Sequence, residues 1–381
     1  MKKRLLIATD AFYPRWDGIT RFLSEVIPIL KEDYDITVLA PNFPEFKKHV
    51  DKAKDIKIIR IPTYHFKFGD YNPPKFSSKI VKNAVEESDI VWTQAIMPIG
   101  MLAIWYSNKL YRPVVDYIHS IEWELALNSL SRKNIFRSFS YITSKAIAKY
   151  FYNRCNLLMI PSAKTGEKLN EIGITTRKVI VHMGVNTTKF TPPKEKSIAK
   201  KALGINPKTI VIGYSGRLGR EKNVETLYKA FMRIEHKYKN VTLLIVGKGV
   251  QELEKLFSRH KKINLVRYTN RMEYYLQAMD IYVMPSLTET SSLSTMEAMA
   301  TGLPVITTKV GLFKQYIKEK VNGCFFPQEN DYVLSLKLEW LINNRIIREN
   351  LGKRARETIL SRYQWSKTIE KIKKILKEMT M

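Results

Sequence analysis

The chain is poor in cysteine, in acidic residues and in long apolar runs, and each shortage excludes something. Of 381 residues two are cysteines, Cys155 and Cys324, and six are histidines. There is no CxxC pair and no Cys/His cluster, which argues against a structural zinc site and a disulfide scaffold. So few cysteines suit a reducing cytoplasm. The opening MKKRLLIATD holds an apolar run of only Leu5–Ala8 before Asp10. That is too short for a signal-peptide core and reads as a buried first strand. The uncharged stretch 90–108 is diluted by Thr93, Gln94, Pro98, Gly100, Ser107 and Asn108, so it reads as strand, loop and helix, not as a membrane span. No GxGxxG follows the first strand, so the dinucleotide fingerprint is missing.

Acidic residues number 36 against 64 Lys plus Arg, a formal net charge of +28. A pI near 9.8 raises nucleic acid as a partner. No helix-turn-helix, zinc finger or RNA-recognition signature is present, and the basic residues do not form one tight cluster, so no nucleic-acid partner is expected.

What is there is a globular composition, 45% hydrophobic and 26% charged, with a length suited to two domains. Short β-branched runs alternate with amphipathic stretches. RLLIAT (4–9), ITVLAP (36–41), IKIIRIP (56–62), DIVWTQ (89–94) and VVDYIHS (114–120) read as strands, with a helix over Ile19–Leu30. The rhythm restarts at TIVIGYSGR (209–217) and continues through VTLLIVGKG (241–249), DIYVMPS (280–286) and LPVITT (303–308). This pattern predicts an α/β fold of two tandem Rossmann-like, doubly wound parallel-sheet domains facing a central cleft. The expected boundaries are a first domain at 1–187, a linker rich in Thr, Pro and Lys at 188–207, and a second domain at 208–360. A tail helix at 361–381, with apolar Ile369, Ile372, Ile375, Leu376 and Met379, would pack back on the first domain. Ligands of such sheets sit outside the carboxyl ends of the strands, so the cleft is the default site.

Four segments bear residues suited to chemistry at those ends. Glu289 and Glu297 bracket a Ser/Thr loop, Thr290, Ser291 and Ser292, followed by Leu293 and a helix from about Ser294. The free N–H groups of a helix start bind phosphate; equally, Ser292 or Ser294 serves as a plain N-cap. In GRLGREKN (216–223), Arg217 and Lys222 follow a strand and suit a diphosphate, or form a solvated turn. In YPRWDGIT (13–20), Gly18 allows close backbone approach. His119 ends the strand VVDYIHS, as a site residue or a structural one. Two further patterns lead elsewhere. Asp33-Tyr34-Asp35 matches a metal-binding D-x-D but precedes a strand, at the wrong end of the sheet, and reads as turn chemistry. GKG (247–249) lacks the spacing of a P-loop.

Together these segments resemble the retaining glycosyltransferases of family 4, with the two-domain GT-B fold, over nearly the whole chain. SLTETSSLSTMEAMATGLPVI (286–306) looks like that family's P-S-x-x-E-x7-E block and the E-A-M-A-x-G-x-P-V-I that follows. GRLGREKN resembles G-R-L-x-x-E-K-G, with Asn223 for Gly. VHMGVNTTKFTP (181–192) resembles N-G-V-D-x-x-x-F-x-P, departing at Met183 and Asn186. YPRWDGIT resembles the Gly-rich first loop, with Asp17 where Gly or Asn is usual. The resemblance implies that Glu297 binds the ribose of a sugar nucleotide. Glu289, Thr290, Ser291, Ser292 and Leu293 would hold donor sugar and phosphates, and Arg217 and Lys222 would neutralise the diphosphate. His119 would sit beside the transferred sugar, and Gly18 would let the first loop close. His119, Glu289, Arg217 and Lys222 are thus the expected catalytic set. No cofactor and no obligatory metal is implied. A UDP-hexose is favoured over GDP-mannose as co-substrate.

Between Glu124 and Glu167 there is no acidic residue. Basic Arg132, Lys133, Arg137, Lys145 and Lys149 interleave there with aromatics. Such a segment suits an anionic membrane surface, or the solvated face of a helix packed on the first domain. The reading is a peripheral enzyme on the cytoplasmic membrane face, with a lipid or lipid-linked acceptor. A soluble acceptor and a non-catalytic sugar-nucleotide sensor are the alternatives. Residues 188–381 carry net +18 and residues 1–187 net +10, so the surplus is not concentrated on the acceptor side.

Overall fold

The computed structural model describes residues 2–15, 17–43, 56–66, 72–123, 137–289 and 291–380. The chain divides into two compact units, one of Met1–His182 with Thr368–Met381, the other of Met183–Lys367. Each is an α/β sandwich around a parallel sheet.

The first unit contains β1 (Lys3–Ala8), α1 (Gly18–Leu30), β2 (Tyr34–Asn42), β3 (Lys57–Pro62), α2 (Ser78–Glu86), β4 (Ile90–Thr93), α3 (Pro98–Lys109), β5 (Val114–Tyr117), α4 (Arg137–Tyr152), β6 (Leu157–Ile160), α5 (Ala163–Glu171) and β7 (Lys178–Ile180). The strand order is β3-β2-β1-β4-β5-β6-β7, every pair parallel. Strands covered on both faces read as continuous apolar runs: Leu5–Ala8, Ile90–Trp92 and Leu157–Ile160 are buried without alternation. The chain steps outward from β1 in both directions, so the topological switch lies between β1 and β4.

The second unit contains α6 (Lys196–Lys201), β8 (Ile210–Ser215), α7 (Val224–Glu235), β9 (Val241–Val246), α8 (Gln251–Ser258), β10 (Ile263–Val266), α9 (Met272–Ala278), β11 (Ile281–Met284), α10 (Leu293–Ala300), β12 (Val305–Thr307), α11 (Phe313–Tyr316), β13 (Cys324–Phe325), α12 (Asp331–Asn343) and α13 (Arg345–Arg362). Its order is β10-β9-β8-β11-β12-β13, which puts the switch between β8 and β11. The Thr/Pro/Lys stretch at 188–207 includes α6. There the amphipathic Lys200 buries its stem and bonds Asp280 at 2.6 Å and the Thr209 carbonyl at 2.7 Å. Composition alone hides that helix, because its anchor is a lysine.

The tail helix α14 (Trp365–Glu378) presents Ile369, Ile372, Ile375 and Leu376 as its buried stripe. From Thr368 onward it belongs to the first unit. Thr368 Oγ1 donates to the His182 carbonyl at 2.9 Å, and Lys373 pairs with Asp33 at 2.7 Å. Asp33 therefore stands just before β2, at the amino end of the sheet, and is occupied by a lysine of the tail.

Candidate active site

In the second unit both switch-point loops carry the residues singled out by sequence. The loop after β8 runs from Gly216 to Asn223 and lies against the loop after β9. Gly216 N and Leu218 N donate to the Val246 and Lys248 carbonyls at 3.0 Å each. A Cβ at Gly247, where φ is +158°, would stand 1.8 Å from the Gly216 carbonyl oxygen. The GKG segment is therefore a close backbone crossing that only glycine permits. Asn223, which replaces the glycine of the resembled motif, has φ 50° and ψ 41°. Asparagine is one of the few side chains that tolerate this left-handed region, so the departure preserves the turn.

The loop after β11 is joined to that loop through the Leu287 N–H, which donates to the Glu221 carbonyl at 2.8 Å. It brings Glu289 to Lys222, with Nζ to Oε1 at 2.5 Å. Ser286 Oγ donates to the same oxygen at 2.9 Å. The Glu289 side chain is 7% exposed and that of Lys222 22%. A buried carboxylate needs such partners, since an unpaired one is costly. Arg217 turns outward: its side chain is 58% exposed and its guanidinium pairs with Glu221 at 2.7 Å. Glu297 lies in the second turn of α10 and is buried.

Ser292 occupies the N-cap position of α10 but does not cap it. Its backbone is left-handed, φ 53° and ψ 77°, and its side chain bonds no backbone N–H of the helix. In that conformation its hydroxyl meets the Thr295 hydroxyl at 2.9 Å instead. The plain-cap reading of Ser292 is corrected accordingly: its side chain caps none of the first-turn N–H groups of α10. A serine held at positive φ is strained, and such strain gathers at ligand-binding loops. Thr290 lies outside the described residues. Leu293 opens the helix beside the buried Ser291 and Ser292.

Sequence reasoning missed three tyrosines beneath these loops. Tyr214 OH donates to the Arg217 carbonyl at 2.8 Å, Tyr282 OH to the Ser215 carbonyl at 3.1 Å, and Tyr316 OH to the Ser291 carbonyl at 2.8 Å. Burial pushes the Tyr282 phenol up to about 12 and raises the other two as well. A buried tyrosine hydroxyl requires a partner, and here each pins a carbonyl of these loops or of the strand end that leads into one. For Tyr214 and Tyr282 a phenol inside an otherwise apolar strand was the available signal; Tyr316, at the end of the short helix α11, offered none.

In the first unit the loop after β1 leads into α1 at Gly18. Asp17 is the N-cap: its Oδ1 accepts from Thr20 N at 2.9 Å, and its Oδ2 pairs with Arg15 at 3.4 Å. The aspartate in place of the more usual Gly or Asn thus has a local job. A Cβ at Gly18 meets nothing within 4 Å, so packing does not require a glycine there. His119 follows β5, with Phe22 and Tyr117 rings at 5.0 and 4.5 Å. Its Nε2 lies 3.0 Å from Oε1 of Gln94. Burial against these rings pushes the imidazole down to about 3, so His119 is neutral at neutral pH. Gln94 was not among the sequence candidates.

Of the basic segment, Arg132 and Lys133 lie outside the described residues, and Arg137 begins α4. On that helix Lys145 lies over the Tyr141 ring at 4.3 Å. Lys149 is exposed, as are Phe139 (67%), Ile142 (65%), Ile147 and Tyr150. No described helix is long and apolar enough to cross a membrane.

Two family profiles cover most of the chain. Glycosyltransferase Family 4 matches residues 16–189 and Glycosyl transferases group 1 matches residues 195–358. An alpha-monoglucosyldiacylglycerol synthase of Streptococcus pneumoniae is 24% identical, over 94% of this chain and 85% of its own. A GDP-mannose-dependent alpha-mannosyltransferase of Corynebacterium glutamicum is 24% identical, over 90% and 81%. The crystal structure of Anabaena HepE in complex with UDP superposes with a TM-score of 0.79 at 18% identity, over 98% of this chain and 100% of that one.

Proposed function

The chain belongs to the family 4 glycosyltransferases and has their GT-B fold, and from that premise we propose that it transfers a hexose from a sugar nucleotide to a hydroxyl of a lipid or lipid-linked saccharide at a membrane surface, with retention of anomeric configuration. The observation that carries the donor side is the pair of half-buried Lys222 with the buried Glu289 carboxylate, beside the start of α10 that Ser292 leaves uncapped. As the anomeric C–O bond breaks, negative charge grows on the leaving diphosphate. Lys222, the Arg217 guanidinium and the free N–H groups of α10 are the donors that stabilise it. Glu289 then changes partner from lysine to a hydroxyl of the sugar, and Glu297 holds the ribose. Gly18 leaves room for phosphate where a Cβ would intrude, and His119 attends the transferred sugar. The acceptor hydroxyl attacks from the face that the diphosphate leaves, passing its proton to the departing phosphate oxygen.

A UDP-hexose is the favoured donor. It agrees with the name of the pneumococcal relative, a glucosyl transferring enzyme, and with the UDP held by the structural neighbour, whereas the Corynebacterium relative uses GDP-mannose. The lipid acceptor rests on the same pneumococcal relative and on the exposed Phe139 and Ile142 among the lysines of α4. Contiguous exposed apolar surface rimmed by cations suits an anionic bilayer.

Thermal shift against UDP-, GDP- and ADP-sugars tests the donor, since a ligand of the native state raises its stability. Stabilisation by UDP-hexose alone is expected; stabilisation by none would refute donor binding. Transfer of labelled hexose to diacylglycerol in anionic vesicles, with the product anomer read by NMR, tests the reaction. Transfer only to soluble sugars, with no vesicle binding at low salt, would replace the lipid with a soluble acceptor.

A further inference from the structure

We infer that Gln94 is a positioning residue that fixes the tautomer of His119, keeping the hydrogen on Nε2 and presenting Nδ1 as a hydrogen-bond acceptor to a hydroxyl of the transferred sugar. The inference rests on the proposed place of His119 beside that sugar.

Gln94 follows β4 and His119 follows β5, and these strands are neighbours in register. Gln94 is wholly buried. Its backbone N–H donates to the Ala8 carbonyl of β1 at 3.1 Å, which ties it to the switch point itself. Its amide oxygen stands 3.0 Å from His119 Nε2. An amide oxygen only accepts, so Nε2 carries the hydrogen. A neutral imidazole then has its lone pair on Nδ1, and no described residue bonds that atom. Phe22 of α1 and Tyr117 of β5, themselves 4.6 Å apart, pack together against the ring.

Among the described residues, the groups facing the ring are themselves without charge. Gln94 comes from β4 and Phe22 from α1. Tyr117, the titratable neighbour, donates its hydroxyl to the Val181 carbonyl at 2.9 Å. Burial depresses the imidazole. The ring is therefore an uncharged acceptor across the working pH range, and the amide decides which nitrogen accepts. The amide nitrogen of Gln94 is also buried, with no hydrogen-bond partner among the described residues. That leaves an unused donor close to the unused Nδ1 acceptor, of the kind that buried groups normally satisfy.

The tautomer follows from which amide atom faces the ring, and nitrogen-15 NMR of histidine-labelled protein reads it directly, with the His119 signal assigned by its loss in His119→Asn. Wild type is expected to show the Nε2–H form from pH 5 to pH 8. Gln94→Leu should lose that bias and lower kcat by about 10–100-fold, the size of a misplaced reacting contact, while the donor KM changes little. Gln94→Glu places a carboxylate on Nε2 and favours the imidazolium, so Nδ1 becomes a donor. Its kcat should fall toward low pH where the wild-type profile is flat. Melting curves on each variant confirm folding, and the wild-type spectrum needs no variant to fold. An Nδ1–H form in wild type, or a Gln94→Leu enzyme with wild-type tautomer and kcat, overturns the inference. If the Nε2–H form is found but His119→Ala keeps full kcat, the place of His119 beside the sugar fails while the tautomer assignment stands.

Discussion

The two units prepare their switch points by opposite means. The second uses charge. Half-buried Lys222 pairs with the buried Glu289 carboxylate, Arg217 and Glu221 pair at the rim, and tyrosine hydroxyls pin the backbone around them. The first keeps the Arg15–Asp17 pair at the start of α1 but uses neutrality at His119. His119 is held uncharged against a pair of aromatic rings, its hydrogen bond goes to an amide, and the start of α1 offers open space at Gly18. Charged groups suit a leaving diphosphate, and neutral shape suits a sugar, whose hydroxyls need donors and acceptors but no counter-ion. The lesson is that the chemistry asked of each loop can be read from whether its polar groups are paired as ions or as dipoles.

The contrast is tested most severely at Lys222. Lys222→Ala should lower kcat by about 10²–10³-fold, the cost of removing one preorganised transition-state donor. It should also lower Tm, because Glu289 is left buried without its cation. Adding Glu289→Gln should recover much of the Tm and none of the rate. Recovery of the rate by the double variant would show that the pair is a structural ion pair only. Arg217→Ala is next. A fall in kcat of about 10–100-fold is expected, with a stability change under about 1 kcal/mol because the side chain is exposed. An unchanged rate would remove Arg217 from the diphosphate.

Tyr316→Phe should destabilise by about 1–2 kcal/mol through the lost bond to the Ser291 carbonyl. It should raise the donor KM more than it lowers kcat, since the loop and not the chemistry is loosened. Urea titration with steady-state kinetics separates the two.

The smallest effect concerns acid. The folded imidazole of His119 lies near 3, below the ordinary value of about 6.5. The unfolded chain therefore binds the extra proton first, and the stability tied to neutral His119 is present above pH 6.5 and lost as pH falls toward 3. His119→Asn should show a shallower loss over that window. The buried Asp116 and Glu122 carboxyls, held above the carboxylate range by desolvation, act with the opposite sign, so the measurement is the difference between wild type and variant. Equal slopes would show that His119 is already charged in the folded protein.

Much of this was legible because it is local in the chain. A buried parallel strand, a loop and a helix follow one another in sequence, so the pattern gave the α/β units, and the loop residues fell at the carboxyl ends of β8 and β11 as expected. Glycine and its substitutes were half legible. Asn223 and Asp17 stood out as departures, but their reasons, a left-handed turn and an N-cap, needed backbone angles and a hydrogen-bond partner. Ser292 reads in sequence as a cap, and its positive φ carries its hydroxyl elsewhere.

The sequence by itself determined the two parallel sheets, the loops that end their central strands, and which loop side chains are charged. Periodicity and strand–loop–helix order are properties of neighbouring residues. Only the tertiary structure decided who meets whom. Lys222 meets Glu289 across 67 positions, and Gln94 meets His119 across 25. Tyr316 reaches Ser291 across 25 as well. Such pairs depend on strand order and parallel register, in which residues remote in the chain stand side by side at one edge of a sheet. No local pattern encodes that adjacency, and it is what turns charged and polar loop residues into a candidate site.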